Sequence, residues 1–403
     1  MTIWLFCVQL ALGYAISSVA QTEYFPPRSE WERRLPQEMG LDPVRLRSAV
    51  EFAVSNEART PRNLELAHYQ SFGREPYGEA VGLFKERGPA TGLIIRRGRI
   101  VAEWGEPDRV DMTFSVTKSF LSTTVGLAYD HGLIRSLQDR AALASAMTFV
   151  YHPGQRFDKA EDFGKPRYLE LFAGEHNSKI TWEHLLRQTS DWEGTLWGKP
   201  DWADRPDRDN STWLTRKRNE PGNVYEYNDV RVNVLALAAL NVWRKPLPQV
   251  LKEFIMDEIG ASNTWRWYGY ENSFVLIDGQ IIQSVSGGGH WGGGMFINAY
   301  DMARFGLLTL RRGKWNGRPL LSERFIREAT TPTTAQPTYG FMNYFLNTGK
   351  AYLKSAPESA YAHVGNGVNI VYVDPENDLV VVARWLDQAK LDEFVGLVLA
   401  SVR

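Results

Sequence analysis

Apolar residues recur along this chain first at helical spacing, then in two short β-rich runs, then at helical spacing again through a long middle region. Two further strand-like runs and a last helix close it. Asp42-Pro43 offers an N-cap and a first-turn proline for a helix to about Ala58, with Val44, Leu46, Val50 and Phe52 as its apolar positions. Residues 91–104 read as two β-rich runs around Arg97-Gly98, a hairpin. After Ser115, the residues Phe120, Leu121, Val125, Leu127 and Ala128 keep near-helical spacing, and Gly132 is a stop signal. Thr181 caps a helix start, and residues 228–243 form a long apolar-periodic helix that ends near Pro246. Residues 298–313 read as a helix with Leu307, Leu308 and Leu310 inside and Gly313 at its end, and Ser322 caps a shorter one. Residues 368–373 and 379–385 are strand runs around a turn at 374–378, and residues 391–402 fill a final amphipathic helix.

Strands near both ends with helices between them imply a sheet assembled from distant parts of the chain. The expected class is α+β, an α/β sandwich. Its antiparallel sheet is flanked by N- and C-terminal helices, and a helical subdomain is inserted. The folded body spans 40–403, with a sheet part at about 40–112 and 285–403 and a helical part at about 113–284. Residues 187–218, rich in Trp, Asp, Gly and Pro, form a long ordered loop of the kind that often walls a site. Its Trp192, Trp197, Trp202 and Trp213 either line a cleft or pack the loop down. The glycine-rich run 287–294 lacks a phosphate-loop Lys-Ser/Thr pair and reads as tight backbone turns.

Composition narrows the function classes. With 403 residues and 43% apolar content the chain can bury a large core. Lys plus Arg number 46 against 47 for Asp plus Glu, so there is no global basic field for nucleic acid. Residues 3–20 are uncharged, apolar and end in small residues, with Ser18 and Ala20 at plausible −3 and −1 cleavage positions. The expectation is a signal peptide over 1–20 and an exported, periplasmic or secreted protein; an uncleaved N-terminal anchor is the other reading. Cys7, the single cysteine, falls inside that segment, so the mature chain would carry no thiol chemistry or disulfide. The seven histidines show no H-E-x-x-H or comparable spacing, and neither metal nor cofactor is expected.

Oxygen and nitrogen chemistry remains, and Ser115-Val-Thr-Lys118 is its best candidate. Residues three apart on a helix share a face, with Cβ atoms roughly 5 to 6 Å apart, so the Lys118 amine can reach the Ser115 oxygen. First-turn N–H groups face any developing oxyanion. A serine hydroxyl needs such help, and a lysine with an ordinary pKa near roughly 10.4 needs partial burial to act as a base.

Two further motifs follow at wide spacing: residues 221–229, Pro-Gly-Asn-Val-Tyr-Glu-Tyr227-Asn-Asp229, and His363-Val-Gly365. With Ser115 and Lys118 they resemble the three motifs of the serine β-lactamase and penicillin-binding-protein superfamily, in its class C-like branch. That branch also holds DD-peptidases, D-amino acid peptidases, carboxylesterases and 6-aminohexanoate-dimer hydrolases. Residues 180–190 and 292–306, the latter ending in Asp301-Met-Ala-Arg-Phe-Gly306, are similar to two more family segments, so the resemblance covers about 40–400.

The resemblance implies Ser115 as nucleophile, Lys118 as its base and Tyr227 as the proton shuttle to the leaving group. A phenol beside an ammonium is stabilised as phenolate, which would lower its pKa. It also implies an oxyanion hole from the N–H groups of Ser115 and Asn366, with Gly365 on an edge strand letting substrate backbone come close. His363 would orient Tyr227 or the substrate, or be a satisfied strand histidine. Asp229 stands where the family places asparagine. It either pairs with Lys118, receives a cationic amine from the substrate, or is a surface carboxylate at a helix start. His290 reads as structural. The expected protein is an exported serine hydrolase that cleaves a small-molecule ester or amide through an acyl-serine. A β-lactamase or DD-peptidase of the same fold and a non-turnover penicillin-binding or scaffold protein are the alternatives.

Overall fold

The computed structural model describes residues 23–28, 30–145, 147–152, 168–206 and 212–403. The segment 1–20 read as a leader, with Cys7, lies outside them.

Asp42 accepts from the N–H groups of Val44 and Arg45 and starts α1 (Pro43–Ser55); Asn63 caps α2 (Leu64–Phe72). The expected hairpin is β1 (Thr91–Arg96) with β2 (Arg99–Trp104). Arg97 and Gly98 both take positive φ, 50° and 80°, which is the turn whose twist matches paired strands. After β3 (Asp111–Met112), a 3-10 turn at Phe114–Val116 feeds α3 (Thr117–Asp130), so Ser115 precedes the α-helix proper. The middle of the chain forms β4 (Thr148–Val150), β5 (Tyr168–Leu169) and α4 (Trp182–Leu186). A small hairpin, β6 (Thr195–Leu196) and β7 (Lys199–Pro200), precedes α5 (Asp229–Trp243) and α6 (Leu247–Leu251). Next come β8 (Arg266–Ile277), β9 (Gln280–Val285), β10 (Gly294–Ile297) and α7 (Ala299–Leu310). The chain closes with hairpin β11 (Lys314–Trp315) and β12 (Arg318–Pro319), α8 (Glu323–Ala329), β13 (Phe345–Leu346), β14 (Tyr361–Gly365), β15 (Asn369–Asp374), β16 (Leu379–Arg384) and α9 (Leu391–Ala400).

The main sheet runs β13-β14-β15-β16-β1-β2, antiparallel throughout, and joins the two ends of the chain where Gly92 pairs with Ala383. β1, β15 and β16 are buried on both faces, which is why β15 and β16 read as continuous apolar runs. Ile94, Ile370, Tyr372 and Val381 face α1 and α9, whereas Leu93, Val371, Val373 and Val382 face the layer holding α3 and α7. β14 is one strand in from the edge, because the short β13 covers it.

The region between is less purely helical than its periodicity predicts. β8 anchors a second sheet, ordered β3-β10-β8-β4-β5 with β9 also on β8. A register shift between Gly269 and Phe274 breaks the alternation of β8 and hides it in the sequence. The Asp278-Gly279 pair, with φ of 52° and 78°, is the turn signal that marks the β8–β9 hairpin. At the centre α3 and α5 pack together, and residues 117–128 and 229–240 are buried all round. The starts of these two helices therefore meet inside the protein. No helix among the described residues is long and apolar enough to cross a membrane.

Candidate active site

Ser115 sits at the junction of the main sheet and the α3–α5 layer. The residue before it, Phe114, holds φ +48°, a left-handed conformation that costs a non-glycine residue about 1–3 kcal/mol. Two glycines make room for this turn. A Cβ on Gly288 would lie 2.1 Å from the Phe114 carbonyl oxygen, and one on Gly365 would lie 2.2 Å from that of Thr113. Gly365 is thus required by the close approach of β14 to the Ser115 turn, a contact within the protein. The run 287–294 supplies turns, with positive φ at Gly288, Gly292, Gly293 and Gly294.

Two of the candidate residues converge on the hydroxyl of a third, Ser115. Lys118 Nζ lies 2.7 Å from Ser115 Oγ, and Tyr227 Oη donates to the same atom over 2.8 Å. The carbonyl of Gly288 lies 3.4 Å from Oγ on another side. Lys118 is wholly buried rather than partly so, and Asp229 Oδ1 stands 2.6 Å from its amine. Of the readings of Asp229, the structure shows the pairing with Lys118. Its second oxygen takes Arg205 Nη2 at 2.8 Å and the side chain is 1% exposed, which leaves no face for a substrate amine.

Behind Asp229 lies a set of buried charges that sequence reading did not find. Arg205 Nη1 donates to both oxygens of Asp204, at 2.8 and 2.7 Å, and Asp204 also accepts from the Asp229 N–H. His290 places Nδ1 3.3 Å from both Asp204 and Asp229 and Nε2 3.2 Å from Glu75. Glu75, Asp204 and His290 also bring ligand-type atoms within 4.8 Å of one another. Arg205 on Asp204, with imidazole nitrogens between the carboxylates, makes this grouping an ion-pair network. Wide sequence separation and the unremarkable local context of Arg205 and Glu75 hid it.

The network sets the protonation states. Burial alone would raise the Asp229 carboxyl, but Arg205, Lys118 and His290 outweigh it and hold the group well below its ordinary value. Burial pushes Asp204 up to about 6, helped by Asp229 and opposed by Arg205 and His290. Burial would lower His290, yet its carboxylate partners Asp229 and Glu75 raise it. The Tyr227 phenol is raised, by burial first and by the Asp229 charge, against Arg205. The expected lowering is corrected here, because the carboxylate that neutralises Lys118 also faces Tyr227.

His363 departs from its expected place. It lies on the correct face of β14 but in the layer beneath the site, with Nδ1 2.9 Å from Ser119 Oγ and its ring against Phe305, Tyr344 and Tyr361. Burial lowers it to about 3, so it is neutral. It braces α3 one residue beyond Lys118 and is not a substrate or Tyr227 contact. Asn366 is exposed at the end of β14, and with Gly365 it borders a cleft of about 230 Å³ that opens on Ser115. Phe72, Phe345, Val364, Arg205 and Tyr227 line the same cleft. A larger cavity of about 530 Å³, bordered by Thr309, Ile326 and Tyr361, includes none of Ser115, Lys118 and Tyr227 in its lining. Trp192 and Trp197 are buried and Trp202 stacks on Trp213 at 5.3 Å, so the loop tryptophans pack rather than border the cleft.

An antiparallel sheet sandwiched by helices, with a Ser-x-x-Lys pair at the mouth of a central helix and a tyrosine from the loop before a second one, defines a β-lactamase-like α+β protein. Residues 89–385 match the Beta-lactamase family, and the chain belongs to it. Family membership supports hydrolase-type activity in general. Among solved structures the chain is similar to a family VIII carboxylesterase, with 16% identity, a TM-score of 0.54, and coverage of 90% of this chain and 99% of that one. It is also similar to a penicillin-binding protein homologue from Caulobacter crescentus, at 14% identity and TM-score 0.53 over 90% and 99% of the two chains. A third is a hydrolase with promiscuous acyltransferase activity, at 16% identity and TM-score 0.53 over 89% and 98%. These likenesses establish the fold. No curated protein matches the chain in sequence.

Proposed function

We propose that this protein is an exported serine hydrolase that cleaves a small-molecule ester or amide through an acyl-serine on Ser115. The observation that carries the reading is the convergence of Lys118 and Tyr227 on Ser115 Oγ, at 2.7 and 2.8 Å. A hydroxyl held by two proton-bearing groups is arranged for nucleophilic attack with immediate proton transfer. Because Tyr227 is held as a phenol, it serves as a relay. Its Oη takes the Ser115 proton as its own proton passes to the leaving oxygen or nitrogen. Lys118 Nζ, held by Asp229 at 2.6 Å, stays 2.7 Å from the attacking oxygen and orients it. The N–H groups of Ser115 and Asn366 are assigned to the tetrahedral oxyanion.

Hydrolysis of 4-nitrophenyl butyrate by wild type and Ser115→Ala tests the reading. A loss of several orders of magnitude, on the order of the value of a nucleophile in related machinery, is expected in the variant. Equal rates would place the nucleophile elsewhere. Export is tested separately by fractionation and N-terminal sequencing, with a mature N-terminus after Ala20 expected.

A further inference from the structure

The cleft over Ser115 is lined by the apolar side chains of Phe72, Phe114, Phe345 and Val364 and by two basic ones, Arg205 and His290. Among the described residues no acidic side chain borders it. Asp204 and Asp229, 0% and 1% exposed, lie behind the guanidinium of Arg205, which is 36% exposed. The pairs are thus layered, with carboxylates inward and the cation toward the cleft.

Arg205 is also held in place. Nη1 and Nη2 are fixed by the two carboxylates, and Cζ stands 5.0 Å from the centroid of the Tyr227 ring. Its own φ is +51°, a strained backbone that the surrounding contacts maintain. A guanidinium carries five N–H donors, and the three bonds to Asp204 and Asp229 leave Nε and one Nη2 hydrogen without a partner among the described residues. A fixed, partly exposed guanidinium with spare donors beside a nucleophile is a receptor for a planar anion.

We infer that Arg205 binds a carboxylate of the substrate, so that the preferred esters or amides are carboxylate-bearing compounds with an otherwise apolar body. This rests on the acyl-serine reading for the reaction and specifies its substrate class. It replaces the cationic amine that Asp229 was expected to receive. No covalent step is added: Arg205 orients the anion while Ser115 and Tyr227 act on the carbonyl.

The test compares matched pairs of esters. On the acyl side, mono-(4-nitrophenyl) glutarate is set against 4-nitrophenyl hexanoate; on the leaving side, 3-carboxyphenyl butyrate is set against phenyl butyrate. In one pair the wild type is expected to favour the anion by about tenfold or more in kcat/KM, the size of a charge-assisted contact. That ratio should collapse in Arg205→Gln, be partly retained in Arg205→Lys, and shrink with added salt in the wild type. Arg205→Gln will also slow neutral esters because it loosens Asp229, so the ratio is the readout. No preference in either pair, or a preference that survives Arg205→Gln, overturns the inference. If Arg205→Gln does not fold, the salt dependence and Arg205→Lys decide. If no ester is turned over, the ester half of the proposed function fails, and binding alone tests Arg205. Calorimetry on Ser115→Ala then compares N-phenylglutaramic acid with N-phenylhexanamide, and 3-butyramidobenzoic acid with butyranilide. Tighter binding of an acid, lost in Ser115→Ala/Arg205→Gln, supports the assignment, and equal binding in both pairs overturns it.

Discussion

Acidification should destabilise this protein through His363, and the size of the effect follows from its burial. The ring is 0% exposed on β14, and burial lowers its pKa from 6.5 to about 3. Between those values the unfolded chain binds a proton at this position and the native one does not. Stability supplied by the neutral ring is therefore complete above pH 6.5 and is lost as pH falls toward 3. At pH 5 the loss amounts to about 2 kcal/mol, since each pH unit below 6.5 is worth about 1.4 kcal/mol. Asp204, raised to about 6, titrates in the same window with the opposite sign, because the native state then holds more protons than the unfolded one. His290, also raised, acts in that direction too. The assay therefore takes a difference: urea unfolding of wild type and His363→Asn at pH 7.5 and pH 5. The variant is less stable at both, but its stability should fall by about 2 kcal/mol less between them. Parallel changes in the two proteins would refute the burial of a neutral His363.

Three other perturbations probe the site. Asp229→Asn removes the carboxylate between Lys118 and Arg205 and should cost about 3–5 kcal/mol, as expected when one partner of a buried pair is deleted; an unfolding free energy within about 1 kcal/mol of wild type would dismiss the ion-pair account. Gly365→Ala sets a methyl group against the Thr113 carbonyl, so strand β14 must retreat from Ser115; a stability loss of about 1–3 kcal/mol should accompany a fall in kcat, and unchanged kinetics would show that the approach is unnecessary. Glu75→Gln takes the anion from His290 Nε2; the imidazole resonances should then titrate at lower pH by NMR, whereas an unmoved midpoint would mean that Asp204 and Asp229 alone set it.

Much of the architecture was legible because it rests on local signals. Asp42, Thr181, Asn228, Asn298 and Ser322 each cap the helix their position announced. The Arg97-Gly98 turn and the apolar runs of β15 and β16 were equally local. The second sheet was not, since β8 carries Glu271 and Asn272 inside its register shift and, besides its hairpin partner β9, pairs with the distant β4. In the site, the spacing of Ser115 and Lys118 and the position of Tyr227 before α5 were visible as motifs, and the distances among them are a product of packing α3 on α5.

Chain order and residue type sufficed for the helix starts, the hairpin turns, the near-neutral charge and the pairing of a hydroxyl with an amine one turn on. Those properties depend on neighbours within a few residues, where backbone geometry leaves few choices. Only the tertiary structure decided the direction of the Tyr227 shift, the neutrality of His363 and the occupation of Asp229. Each is a matter of burial and of charges brought from elsewhere: Arg205 from a loop 24 residues away from Asp229 and Glu75 from the segment after α2. Desolvation and ion pairing act through space, and the side chains that share that space are chosen by the fold.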